Sequence, residues 1–237
     1  MGCCGCKKSV QTYNIKTINT KLISKKFDNI DKNIIDLDLN NKITEISDFS
    51  ALCELDLPYL EKLNLSNNNL YDISGLETLK VPNLKTLDLS QNKLSNTSGL
   101  QFLNVACLEN LNLSNNNLSD ISELKLFKVP NLKILDLSYN NIKTFDVFLE
   151  LDFTLEELNL IGNEITQIGI FEQAKCLQNL KKLRFDINDK EYESNINIIS
   201  DLIKSIKDLD FEQKHKKTNI NRLETLHLIN STEKFKY

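Results

Sequence analysis

The stretch from Leu60 to Ile142 is one text written twice. Leu60-Glu-Lys-Leu-Asn-Leu-Ser-Asn-Asn-Asn-Leu70 returns with one change as Leu108-Glu-Asn-Leu-Asn-Leu-Ser-Asn-Asn-Asn-Leu118. Val81-Pro-Asn-Leu-Lys-Thr-Leu-Asp-Leu-Ser90 returns as Val129-Pro-Asn-Leu-Lys-Ile-Leu-Asp-Leu-Ser138. Both offsets are 48 residues (108 − 60 and 129 − 81), and each block holds two copies of a shorter unit. A fixed period of this size is the mark of a solenoid. No single unit can bury its own leucines, so the units must stack and share one continuous core.

Aligned on Leu-x-x-Leu-x-Leu-x-x-Asn-x-Leu, the units are anchored at Leu63, Leu87, Leu111, Leu135, Leu158 and Leu183, with steps of 24, 24, 24, 23 and 25. Leu37 opens an earlier unit, shorter by one residue between Leu39 and Ile43. From Ile34 to Asp189 the motif resembles the leucine-rich repeat family. The alternation Leu63-Asn64-Leu65 is that of a short strand with one face buried. The expected fold is therefore α/β: a curved parallel sheet of short strands with short helices or turns on the convex side. Ser74-Gly-Leu-Glu77 and Ser98-Gly-Leu-Gln101 fit capping boxes for those helices. Pro58, Pro82 and Pro130 would end the return segments before each next strand. The family resemblance further implies that Asn68, Asn92, Asn116, Asn140 and Asn163 bond backbone groups of neighbouring coils, pairing polar groups that stacking would bury.

In a strand x-Leu-x-Leu-x the x residues face away from the core. The middle column reads Asp38, Asn64, Asp88, Asn112, Asp136, Asn159, Arg184, and the next reads Asn40, Ser66, Ser90, Ser114, Ser138, Ile161, Asp186. Asp, Asn and Ser are the family's ordinary filling. Ile134, Tyr139 and Ile161 depart from it, with Glu157, Lys182 and Arg184 around them. A small apolar cluster with a polar rim has the make-up of a protein-binding hot spot. A C-terminal segment folded over these residues is the structural alternative.

Residues 1–33 precede the repeats. Met-Gly-Cys-Cys-Gly-Cys-Lys-Lys-Ser resembles the acylated N-termini of Src-family tyrosine kinases, although the sixth position of the myristoylation consensus holds Cys6. The resemblance implies myristate on Gly2 and palmitate on Cys3, with Cys4 and Cys6 as further acceptors. One myristoyl chain binds membranes only marginally, at about 10⁴ M⁻¹, so a second chain or a basic patch is needed. Lys7 and Lys8 begin such a patch: Lys7 to Asn33 holds seven lysines against Asp28 and Asp31, or 7 − 2 = +5. The competing use of these cysteines, metal binding, lacks a second Cys or His pair nearby. The opening residues do not follow a secretory-signal pattern, so the thiols are expected to stay reduced, with Cys53, Cys107 and Cys176 as small buried groups.

Beyond Asp189 the period breaks. Ile199, Leu202, Ile203 and Ile206 carry helical spacing, and Leu223 to Leu228 resembles one last strand; residues 190–237 are expected to form a helical cap, which solenoids need. The net charge of −4 and two arginines, Arg184 and Arg222, argue against nucleic-acid binding. His215 and His227 lie in this divergent tail, and no glycine loop could cradle phosphates, so no enzyme and no cofactor are expected. A GTPase-activating role would rest on Arg184 alone. The sequence thus points to a non-catalytic adaptor that binds a protein on its concave face and is tethered to the cytoplasmic face of a membrane. A regulatory subunit of a soluble assembly, similar to phosphatase-regulating or axonemal dynein light-chain repeat proteins, is the other reading.

Overall fold

The computed structural model describes residues 12–14, 30–43, 46–144, 146–165, 173–187, 208–213 and 219–220. Its frame is one open sheet whose strands follow chain order. They are β1 (Thr12–Asn14), β2 (Asp36–Asp38), β3 (Lys62–Asn64), β4 (Thr86–Asp88), β5 (Asn110–Asn112), β6 (Ile134–Asp136), β7 (Glu157–Asn159), β8 (Lys182–Ile187), β9 (Asp208–Gln213) and β10 (Asn219–Ile220). β1 to β9 are parallel, and β10 runs antiparallel to β9.

The register pairs the expected anchors in one row: Leu37, Leu63, Leu87, Leu111, Leu135, Leu158 and Leu183. Each is 0–1% exposed, as their alternation with polar residues demands. The sheet also runs past the motif-bearing stretch at both ends, with Tyr13 paired to Leu37 and Leu209 to Leu183. The expected cap helix around Ile199–Ile206 and the strand-like Leu223–Leu228 lie outside the described residues. No helix among the described residues is long and apolar enough to cross a membrane.

The return segments are mostly short turns. One α-helix, α1 (Ile46–Cys53), backs the first described coil, but the following coils return through 3-10 turns: Ser74–Thr78, Ser98–Phe102, Ser122–Leu126, Asp146–Leu149 and Lys175–Leu177. The capping boxes do not form: the caps are Ile73 and Thr97, with no side-chain cap bond. Asp72, Asn96 and Asp120 take that role two residues earlier, their Oδ1 atoms accepting the N–H of Ser74, Ser98 and Ser122 at 2.8–3.1 Å. Gly99 has a different reason from turn-making. A Cβ there would lie 2.6 Å from the carbonyl of Ile73, so only glycine lets the two coils approach this closely.

The asparagines behave as the resemblance implies. Asn116 Nδ2 donates to Leu89 O in the preceding coil and to Leu113 O in its own, both at 3.0 Å, while its Oδ1 accepts from Leu94 N at 3.0 Å. Asn68, Asn92, Asn140 and Asn163 repeat this pattern. All five are 1–7% exposed. Asn116→Ala should strand three buried backbone groups, each costing about 1–3 kcal/mol unless water reaches it. A loss of at least about 2 kcal/mol in urea unfolding is the expected result, and a loss below about 0.5 kcal/mol would show that the ladder is not load-carrying.

Candidate functional site

The candidate site is the strand face turned away from the leucine core. Three columns cross it, and the structure separates their roles. In the middle column, Oδ1 of Asp38, Asn64, Asp88, Asn112, Asp136 and Asn159 accepts the N–H two residues on, at 2.9–3.3 Å. These residues end the strands by turning the chain, so their side chains are committed to local structure. The following column is mostly withdrawn from solvent, against what its position in the motif suggested, with Asn40 exposed and Ile161 half-buried as the exceptions. Ser66, Ser90, Ser114, Ser138 and Asp186 are 3–7% exposed.

The first row remains: Asp36, Lys62, Thr86, Asn110, Ile134, Glu157 and Lys182, paired in register. Ile134 is the one aliphatic residue of this row, and at 36% exposure it is open to solvent. It adjoins Glu157, whose carboxylate is 3.7 Å from Lys182 Nζ. Arg184 pairs in register with Asn159 in the next row, and Asn159 Nδ2 donates to Asp136 Oδ2 at 3.0 Å.

Tyr139 lies elsewhere than on this row. It occupies the turn after β6, in a column of left-handed residues: Asn41, Asn67, Gln91, Asn115, Tyr139 and Gly162, with φ from 53° to 75°. Asn and Gly suit this conformation; an aromatic side chain does so at a cost. Its N–H donates to Ile161 O at 2.6 Å, and its ring covers Gly162, where a Cβ would meet Cδ1 at 2.5 Å. The structure thus brings Ile134, Glu157 and Lys182 together, and separately Tyr139 with Ile161. Gly2, Cys3, Cys4, Cys6, Lys7 and Lys8 lie outside the described residues.

Two features were missed in the sequence. The residues entering each strand alternate strictly in charge: Glu61, Lys85, Glu109, Lys133, Glu156, Lys181. Lys85 pairs with Glu61 at 2.8 Å, Lys133 with Glu109 at 3.1 Å and Lys181 with Glu156 at 2.6 Å. The bond from Glu61 pushes the Lys85 pKa up, and the bond from Lys181 pulls that of Glu156 down. Glu109 also attracts Lys85, and Lys133 attracts Glu156, so the column is electrostatically continuous. A comparison of units two apart, not one, would have found it. On the convex side, Phe102, Leu126 and Leu149 end successive 3-10 turns and are 45–55% exposed. Their 24- and 23-residue spacing was the available signal.

The chemistry on offer is recognition. Two open grooves, of about 200 and 410 Å³, lie between coils at Ser119–Glu150 and Pro130–Lys181. Among the described residues no group of three or more His, Cys, Asp or Glu side chains is placed to hold a metal. Burial pushes the thiols of Cys53 and Cys176 up to about 12, and Cys176 Sγ donates to Phe148 O at 3.0 Å. Cys107 is only partly buried.

A family model described as Leucine rich repeat matches residues 58–118, and one described as Leucine Rich repeats (2 copies) matches residues 108–150. The chain carries leucine-rich repeats over residues 58–150. Proteins of this family generally mediate protein–protein interaction, on a fold that is typically non-catalytic. Among solved structures, the chain resembles an internalin (inlF) from Listeria monocytogenes with a TM-score of 0.51 at 20% identity, over 82% of this chain and 66% of that one. It resembles a second internalin (inlC2) of the same organism with a TM-score of 0.54 at 21% identity, over 75% of this chain and 80% of that one. Both likenesses are of fold. No curated protein sequence matches the chain at a significant level.

Two measurements probe this geometry. At pH 8, iodoacetamide should modify Cys107 readily but Cys53 and Cys176 only at the rate of unfolding, as mapped by peptide mass spectrometry. Both raised pKa values also make folding less favourable as pH climbs from about 9 toward 12, since the unfolded thiols ionise first. Gly162→Ala should cost about 1–3 kcal/mol, from its left-handed backbone and the Tyr139 ring together. That loss should shrink in a Tyr139→Asn background; an unchanged loss in urea melts would dissociate the two residues.

Proposed function

We propose that this chain is a non-catalytic adaptor. It takes a protein partner on its concave face and is held at the cytoplasmic face of a membrane by acyl chains. The observation that carries the binding half is the exposed Ile134, set in a row of otherwise polar side chains beside the Glu157–Lys182 pair. An apolar anchor within a charged rim excludes water at its centre and gains register from its edge. Tyr139, Ile161 and Arg184 supply the flanking contacts in this reading.

The tethering half rests on sequence. Gly2 and Cys3, with Cys4 and Cys6 available, offer the two acyl acceptors that stable anchoring requires. Lys7, Lys8 and the lysines after them would add about 1 kcal/mol each near an anionic leaflet.

Fractionation of cells expressing the full chain separates the halves. With alkyne fatty acids supplied, the wild type should carry label and pellet with membranes, whereas Gly2→Ala should lose label and become soluble. An unlabelled, soluble wild type would sink the tether and favour a regulatory subunit of a soluble assembly. Ile134→Asp, alone and with Ile161→Asp, should reduce partner recovery at least about tenfold, the order expected for a buried anchor. Unchanged recovery with the folded single variant would overturn the assigned surface.

A further inference from the structure

The charged column at the strand entrances has more order than stacking needs. Nearest-neighbour attraction would be met by any arrangement of opposite pairs, yet all six rungs from Glu61 to Lys181 alternate without a fault. The alternation is bounded by Ile35 before it and Lys207 after it. The six side chains are 39–67% exposed, and each within-chain pair leaves donors and lone pairs free for a second bond. An alternating column with an even number of rungs is its own complement when reversed.

We propose that this edge is a self-docking surface on which a second copy of the chain packs antiparallel, about a two-fold axis between Glu109 and Lys133. Glu61 of one copy then faces Lys181 of the other, Lys85 faces Glu156, and Glu109 faces Lys133. All six rungs meet opposite charge, and each contact occurs twice, as a closed two-fold interface requires. A slip of one rung in this orientation sets like against like throughout, so the alternation fixes register as well as partner. A parallel copy slipped by one rung also matches charges, but at five rungs and with an open end that would grow into a fibre. The closed pairing satisfies more rungs and terminates. Exposed ion pairs are individually weak and screened within about 8 Å at physiological salt. The dimer is accordingly one of moderate affinity, at about 10–100 µM, and sensitive to ionic strength.

Charge exchange tests the assignment. The full-length chain is used with Gly2→Ala throughout, so that acyl chains cannot drive association. Glu61→Lys with Lys85→Glu keeps the pair within the chain but sets four of the six facing rungs like against like; Glu156→Lys with Lys181→Glu does the same from the other end. By sedimentation equilibrium, the unexchanged chain should dimerise, about tenfold more weakly in 0.5 M than in 0.05 M salt. Neither exchanged chain should dimerise alone, but an equimolar mixture should, because all six rungs are then complementary again. Three results would each overturn the proposal: an unexchanged chain that stays monomeric to about 500 µM, well above the expected range, exchanged chains that self-associate as it does, or a mixture that stays monomeric. The salt series on the unexchanged chain stands even if an exchanged chain fails to fold.

Discussion

Five successive coils of this protein each depend on a single amide. Stacking buries not only leucines but also the backbone where each strand turns, and a buried N–H or C=O without a partner is costly. The asparagine after each strand solves this in both directions. Its carbonyl oxygen takes N–H groups from the preceding coil, and its NH₂ gives to carbonyls of both coils. No other side chain of that size offers two donors and an acceptor in one plane. The left-handed residue just before it, from Asn67 to Gly162, is the backbone counterpart of the same turn.

Once that turn is fixed, the remaining columns divide by how much freedom it leaves them. Asp and Asn of the middle column are held by the N–H two residues on, and the serines after them are drawn into the interior. The convex side holds coils together by other means: Asn83 and Asn131 donate to Pro58 O and Ala106 O at 2.6 and 2.8 Å. Only the first strand row and the charged column beside it are left to vary. The 48-residue text acquires a physical meaning from that column. Two successive coils differ in sign at the strand entrance, so the unit that repeats is a pair of coils, Glu-bearing then Lys-bearing.

The leucine rows, the strand register and the asparagine ladder were legible because each is a local pattern tied to one invariant need: burial, alternation or satisfied backbone. The candidate surface was legible only in part. Ile134 stands out as an aliphatic residue among polar ones, and the structure keeps it exposed beside Glu157 and Lys182. Tyr139 stands out equally in the text, but its place in the turn column follows from a backbone angle that composition does not reveal. The burial of Ser66 to Ser138 does not follow from simple alternation, which would turn them to the same face as Asn64 and Asp88. Short 3-10 turns were read as helices because Ser-Gly-Leu-Glu satisfies a capping pattern, while Gly99 was in fact answering to the Ile73 carbonyl.

That last contact sets the shape of the array. Parallel strands sit about 4.8 Å apart, whereas helices behind them would need about 10 Å and would force the sheet into a tight arc. Narrow turns, close enough that Gly99 has no room for one more carbon, let coils lie nearer at the back than helices would allow. Where one coil is a residue short, between Leu135 and Leu158, the turn Asp146–Leu149 absorbs the loss and the register does not shift. A back built of such turns takes less room per coil than a back of helices, so the sheet in front of it is held to a gentler arc than helices would impose.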